Sequence, residues 1–170
     1  MVGLLLNAGP ASKKAPELAF DIPGKGQHLL SQYRGKVVAL EIIETTCPHC
    51  QAASHVMTRL QKEFASQGFQ ALDVAINPNA DLLVDGFVKD QQAGFPVGWT
   101  TFQQAQAFLG LKPTERFVVP QVCLINPRGY IEYQTPPLGD DDIRKEDVLR
   151  QHVVAMLAAS KKAAAKRRRG

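Results

Sequence analysis

An apolar run, Val37 to Ile43, is interrupted only by Glu41, and four residues after it comes Cys47-Pro48-His49-Cys50. The run is short and rich in β-branched residues, which predicts a buried strand rather than a helix. Beyond the cysteines, Ala53, Val56, Met57, Leu60 and Phe64 recur at helical spacing, while Gln51, Thr58, Arg59 and Lys62 fill the other side. That is one apolar stripe on an amphipathic helix, and Gly68 ends it. Two closely spaced cysteines therefore sit where a buried strand turns into a helix. No other feature constrains the fold as much.

The rest of the chain is consistent with an α/β domain. Leu18 to Phe20 and Gln27 to Leu30 flank Gly24-Lys25-Gly26, which predicts an N-terminal β-hairpin. Phe69 to Ile76 reads as the next strand. Asn77-Pro78-Asn79 is a turn that offers a cap to a helix from Ala80 to about Ala93. A short extended piece and a short helix near Phe102 to Leu109 follow. Val118 to Ile125 is a strand, Asn126-Pro127-Arg128-Gly129 a turn, and Tyr130 to Tyr133 pairs back. A last helix is expected over Asp141 to Ala159, with Leu149, Val153, Met156 and Leu157 on its core face. The order implies a central mixed sheet with helices on both faces. The expected organisation is an extended lead at 1–16, a domain at 17–159 and a disordered basic tail at 160–170.

The spacing of Cys47 and Cys50 points to redox or metal chemistry rather than to a disulfide scaffold, for which three cysteines in 170 residues are too few. The reactive form of cysteine is the thiolate. At a helix N-terminus the unpaired amides and the helix dipole favour negative charge on Cys47. Cys50 lies one turn on, on the same face. Cys47 would attack a partner disulfide, and Cys50 would resolve the mixed disulfide. Pro48 suits the first helical turn, where the amide it lacks would be unpaired. A protonated His49 would favour the Cys47 thiolate further, and so make the couple more oxidising than thioredoxin.

The net charge of +4 comes from the tail, where Lys161, Lys162, Lys166, Arg167, Arg168 and Arg169 face no acid; the remainder carries 14 basic and 16 acidic residues. The body is thus slightly acidic and gives no basic face for nucleic acid. No apolar run approaches the roughly 18–20 residues of a membrane span. Leu4, Leu5 and Leu6 form an apolar stretch shorter than the ~7–15 residues of a signal core.

The segment from Ala15 to Asn126 resembles the extracytoplasmic thioredoxin-like proteins of the TlpA type. Gly24-Lys25-Gly26 with Ser31-Gln32-Tyr33-Arg34-Gly35-Lys36 is similar to their lead into the central strand. Val119-Pro120 with Leu124-Ile125-Asn126-Pro127-Arg128-Gly129 is similar to their segment after the active site. The tetrad Cys47-Pro48-His49-Cys50 resembles that of the DsbA-type disulfide oxidases. Two departures stand beside the resemblance. Ile42, Ile43, Glu44, Thr45 and Thr46 replace the aromatic residues usual before the first cysteine, and the long helical insertion of the DsbA type does not fit between Ile76 and Pro120. The resemblance implies a thioredoxin-like fold and a role for Glu41, six residues before Cys47, as a buried acid that takes the proton of the resolving thiol. It also implies that Pro120 is the cis proline opposite the cysteines, leaving the Val119 backbone free to pair with a substrate strand. Cys123 reads as a core cysteine.

The expected function is therefore thiol–disulfide exchange with protein thiols and disulfides and a redox partner protein. The expectation is a monomer that needs no cofactor and no metal, in a periplasmic or other extracytoplasmic location. A peroxiredoxin-like thiol peroxidase is the main enzyme alternative. Such enzymes resemble Pro-x-x-x-Thr-x-x-Cys at the reactive residue, and here Leu40 and Glu44 take the proline and threonine places. A copper or zinc carrier on the same fold is the other alternative. A zinc site would need two further ligands, with His49 and His55 nearest in sequence and His28 and His152 far off.

Overall fold

A computed structural model describes residues 12–169 of the chain. Its centre is the pair β4 (Val37–Ile43) and β5 (Phe69–Ala75), parallel and in register from Val37↔Phe69 to Ile43↔Ala75. Every residue of both strands is buried, as their near-continuous apolar sequence requires of strands covered on both faces. The crossover between them is α1 (Pro48–Phe64), whose buried positions Cys50, Ala53, Ser54, Met57, Leu60 and Phe64 keep helical spacing. Gly68 closes the segment with φ +92, a left-handed conformation that suits glycine.

The sheet has eight strands in the order β1-β8-β7-β4-β5-β6-β2-β3. β2 (Ala19–Ile22) and β3 (Gly26–Leu29) form the expected hairpin. β6 (Val97–Trp99) runs parallel to β5 and meets β2 at Asp21↔Trp99. A Cβ on Gly98 would lie 2.7 Å from the Asp21 carbonyl oxygen, so that approach requires glycine. β7 (Gln121–Ile125) and β8 (Tyr130–Gln134) extend the other half antiparallel.

The core lies on both faces of this sheet. On one, α1, α2 (Ala80–Gln91) and α4 (Glu146–Arg169) cover Val37, Ala39, Ile43, Ala71, Ala75, Val122 and Leu124. On the other, α3 (Phe102–Phe108) and the β2 segment cover Val38, Leu40, Ile42, Leu72, Val74 and Cys123. This is the mixed, two-faced thioredoxin-like sheet that the sequence predicts.

Four local features differ from expectation. Within the expected lead, Lys13 and Lys14 form β1, an edge strand paired with Ile131 and Tyr130; residues 1–11 of that lead lie outside the described residues. β7 starts at Gln121 rather than Val118, because Pro120 has no amide to give to a ladder. α4 starts at Glu146 rather than Asp141, since residues 141–145 form turns fastened by the pairs Arg144–Asp141 and Lys145–Asp142. The same helix continues to Arg169, so the expected disordered tail is helical as far as that residue, with residues 161–168 exposed, and Gly170 lies outside the described residues. Alanine, lysine and arginine are strong helix formers, and the basic charges sit at the favourable end of the helix dipole. Lys161 Nζ ties the extension to Gln67 Oε1 at 3.0 Å.

Candidate active site

Cys47 is the N-cap of α1, with φ −81 and ψ 119, and Pro48 opens the helix. The Cys47 amide donates to the Glu44 carbonyl at 3.1 Å, and its carbonyl accepts from the Gln51 amide at 3.0 Å. Its sulfur is thus held at the positive end of a 17-residue helix. Cys47 is half-buried, whereas Cys50, one turn on, is fully buried. All three cysteines are free. Burial pushes the Cys50 thiol well above its ordinary pKa, and the neighbouring Cys47 and Glu41 add to the rise. One cysteine is therefore partly exposed, and the other is enclosed in surroundings that favour its protonated form.

Two carboxyls lie on the α1 side of the sheet beneath Cys50. Glu41 and Asp73 are cross-strand partners in the parallel ladder, 1% and 0% exposed. The Ser54 hydroxyl, from the buried face of α1, donates to Asp73 Oδ2. Burial first, and then the Asp73 carboxyl, hold Glu41 far above the usual carboxylate range. Burial raises Asp73 from 3.8 to about 7, with the Ser54 and Glu41 contacts opposing the rise. Glu41 Oε2 and Asp73 Oδ1 are buried without a hydrogen-bond partner.

The loops complete the rim. The Thr45 amide donates to Asn77 Oδ1 at 2.9 Å, and the Thr45 carbonyl accepts from Gln51 Nε2 at 3.0 Å. Asn77 thus fastens the loop before Cys47, while the left-handed Asn79 begins α2 without a side-chain cap. The Val119–Pro120 peptide is cis. Pro120 is buried, Val119 is half-buried, and Val118 is exposed. Among the described residues no hydrogen bond engages the Val119 main chain. Gln121 holds the loop: its Nε2 donates to the carbonyls of Val118 at 2.7 Å, Pro136 at 3.3 Å and Pro137 at 3.4 Å.

His49 is exposed and lines a shallow groove with Val56, Asp141, Arg144 and Lys145. The remaining histidines stand apart from it. His55 is exposed on α1, His28 meets the Tyr33 hydroxyl at 3.4 Å, and His152 packs against the Tyr133 ring. Among the described residues no group of three or more His, Cys, Asp or Glu side chains is arranged to hold a metal ion. Cys123 pairs with Leu40 in the ladder and belongs to the other half of the core. Burial pushes its thiol up to about 12. It is a core cysteine, separated from the Cys47–Cys50 pair by the sheet.

The profile of the AhpC/TSA family matches residues 11–134. The chain belongs to the AhpC/TSA family. Among characterised proteins it is similar to the thiol-disulfide oxidoreductase ResA of Bacillus subtilis, 30% identical over 102 residues, or 60% of this chain and 54% of that protein. The chain thus matches about half the length of that relative. Among solved structures, a Chlorobium tepidum protein assigned as thiol:disulfide interchange protein DsbE superposes with a TM-score of 0.71 at 25% identity, over 86% of this chain and 96% of the other. A second Chlorobium tepidum structure, a thiol:disulfide interchange protein of the thioredoxin family, gives 0.70 at 22% identity over 88% and 99%, and bears on the fold alone. The likenesses to ResA and to the DsbE-assigned protein set this AhpC/TSA chain beside thiol–disulfide oxidoreductases, in agreement with the TlpA-type resemblance.

Three further residues of the candidate site are not singled out by the local sequence. Asp73 carried the same signal as Glu41, a lone acid inside an apolar strand, and only the register makes them partners. Ser54 is a polar residue on the buried stripe of α1. Gln121 follows Pro120 in an apolar strand, with nothing local to say that it folds back.

Proposed function

We propose that this AhpC/TSA-family chain exchanges disulfides with protein partners through Cys47 and Cys50. The observation that carries the reading is the asymmetry of the pair: a half-buried Cys47 capping α1 and a fully buried Cys50 above a carboxyl. Cys47, as thiolate, attacks one sulfur of the partner disulfide; a partner thiolate leaves, and a mixed disulfide forms. Glu41 takes the Cys50 proton. The Cys50 thiolate then attacks the Cys47 sulfur, the second partner thiolate leaves, and the Cys47–Cys50 disulfide remains. Two electrons pass to the partner, and running the steps backwards oxidises a partner dithiol. Pro48 starts the helix that activates Cys47. The half-buried Val119 beside cis-Pro120, with its main chain unengaged, supplies an edge to which an extended partner segment adds as a strand.

The redox direction rests on His49. A cation there stabilises the thiolate and hence the reduced form, which makes the couple more oxidising. The exposure of His49 lets solvent screen that effect. An extracytoplasmic location is part of the proposal and rests on the TlpA-type resemblance. The peroxidase reading draws on the breadth of the AhpC/TSA family. It is disfavoured by Leu40 and Glu44, where the peroxidase pattern has proline and threonine; Leu40 is moreover buried on the opposite face of the sheet. Reduction of insulin disulfides in the presence of dithiothreitol tests the proposal. Catalysis that Cys47→Ser abolishes supports it; no catalysis, with peroxide turned over instead, replaces it.

A further inference from the structure

The exchange chemistry above gives Glu41 a proton-accepting role, but Glu41 is not alone. Asp73 faces it across the β4–β5 ladder, and both carboxyls are completely enclosed. Their surroundings are apolar or neutral. α1 contributes Cys50 and Ser54, β7 places Val122 beside Glu41, and β6 places Val97 beside Asp73. Among the described residues no Lys, Arg or His forms an ion pair or hydrogen bond with either carboxyl. Two negative charges in contact at such a site are prohibitively costly, so the two groups ionise one after the other. Each carboxyl also has one buried oxygen without a partner, Glu41 Oε2 and Asp73 Oδ1. A proton shared between the two groups supplies the missing donor.

We propose that Glu41 and Asp73 act as one dicarboxyl unit that holds a single proton, and that Asp73, anchored by Ser54, is the positioning residue that sets how readily Glu41 accepts the proton of Cys50. The inference rests on the exchange function proposed above. In the resolving step the Cys50 S–H bond breaks and an O–H bond forms on Glu41. The proton already shared moves toward Asp73, so the unit passes from a monoanion to a neutral diacid. The reverse transfer returns the proton when the Cys47–Cys50 disulfide is reduced again. Ser54 favours charge on the Asp73 oxygen that it touches, which leaves the shared proton nearer Glu41 before the step begins.

The unit makes predictions that a merely structural Asp73 does not. In wild-type protein, carbon-13 NMR of the Glu41 and Asp73 carboxyls should show two coupled steps, each visible at both groups. Asp73→Asn removes the like charge, so Glu41 should titrate in one step at lower pH than in wild type. The pH midpoint for resolution of a Cys47 mixed disulfide should move down with it. Ser54→Ala should move the first step upward and leaves both carboxyls in place, so it serves if Asp73→Asn does not fold. A Glu41 titration that is single-step in wild type and unmoved by Asp73→Asn and Ser54→Ala would overturn the proposal. The titration is read without any partner, so its failure is distinct from a failure of exchange. If the carboxyls titrate as coupled but no mixed disulfide forms, the exchange reading falls, and with it the proposed use of the unit.

Discussion

Replacing Asp73 with asparagine keeps the size of the side chain and an oxygen that can accept the Ser54 hydroxyl, but removes a carboxyl that must ionise inside the core. The structure fixes the sign of the effect on stability. Burial raises Asp73 from 3.8 to about 7 in the folded protein. The folded chain thus holds a proton that the unfolded chain has lost over this window. Stability is greatest below the unfolded value and falls as pH rises toward the folded one. At 1.36 kcal/mol per pH unit, the whole shift costs on the order of 4 kcal/mol, of which about 3 kcal/mol falls between pH 5 and pH 8. Asp73→Asn does not bear this cost, and it also lowers the penalty carried by Glu41. The assay is urea unfolding of the reduced wild type and variant at pH 5 and pH 8 with excess phosphine reductant. The advantage of the variant should grow by on the order of 3 kcal/mol between the two pH values. A difference that stays constant with pH, within about 0.5 kcal/mol, would refute the argument that Asp73 is an enclosed carboxyl with a raised pKa.

Glu41→Gln should slow the resolving step near neutral pH by roughly 10²-fold or more, the usual worth of a general base, with Cys47 alkylation by iodoacetamide unchanged; stopped-flow resolution of a preformed mixed disulfide measures it. Leu60→Ala, at a fully buried position of α1, should cost about 2–5 kcal/mol in the same urea assay. Gln121→Ala removes the side chain that ties three loop carbonyls; it should weaken exchange with protein disulfides while leaving the reaction of Cys47 with a small disulfide such as oxidised glutathione intact. His49→Pro should shift the glutathione redox equilibrium toward the oxidised form, because it removes the side chain whose positive charge would favour the thiolate.

The architecture was legible because its main signals are local. The seven-residue run Val37–Ile43, apolar except for Glu41, and a helical stripe after Cys47 specify strand, junction and helix without reference to the rest of the chain. Cys47, Pro48 and Cys50 follow from the same junction. The partnership of Glu41 with Asp73 is not local: it exists only because β4 and β5 lie parallel with Glu41 opposite Asp73. The cis geometry of Pro120 came from the family resemblance, since nothing in Val119-Pro120-Gln121 alone distinguishes it from a trans proline. α4 begins at Glu146 rather than Asp141 because Asp141, Asp142, Arg144 and Lys145 pair within turns, an arrangement on which the helical spacing of Leu149, Val153, Met156 and Leu157 is silent. At the other end, alanine and basic residues sustain the helix through the basic tail as far as Arg169.

Everything in the proposed exchange depends on the division of labour between the two cysteines, and trapping of mixed disulfides tests it most directly. Purified Cys50→Ser and Cys47→Ser proteins would each be mixed with a disulfide-bonded protein such as insulin and quenched with acid. Non-reducing electrophoresis and mass spectrometry would then identify the adducts. Cys50→Ser should accumulate an adduct through Cys47, because attack survives and resolution is lost, and Cys47→Ser should accumulate none. An adduct through Cys50 in the Cys47→Ser protein, or no adduct in either, would contradict this division of labour.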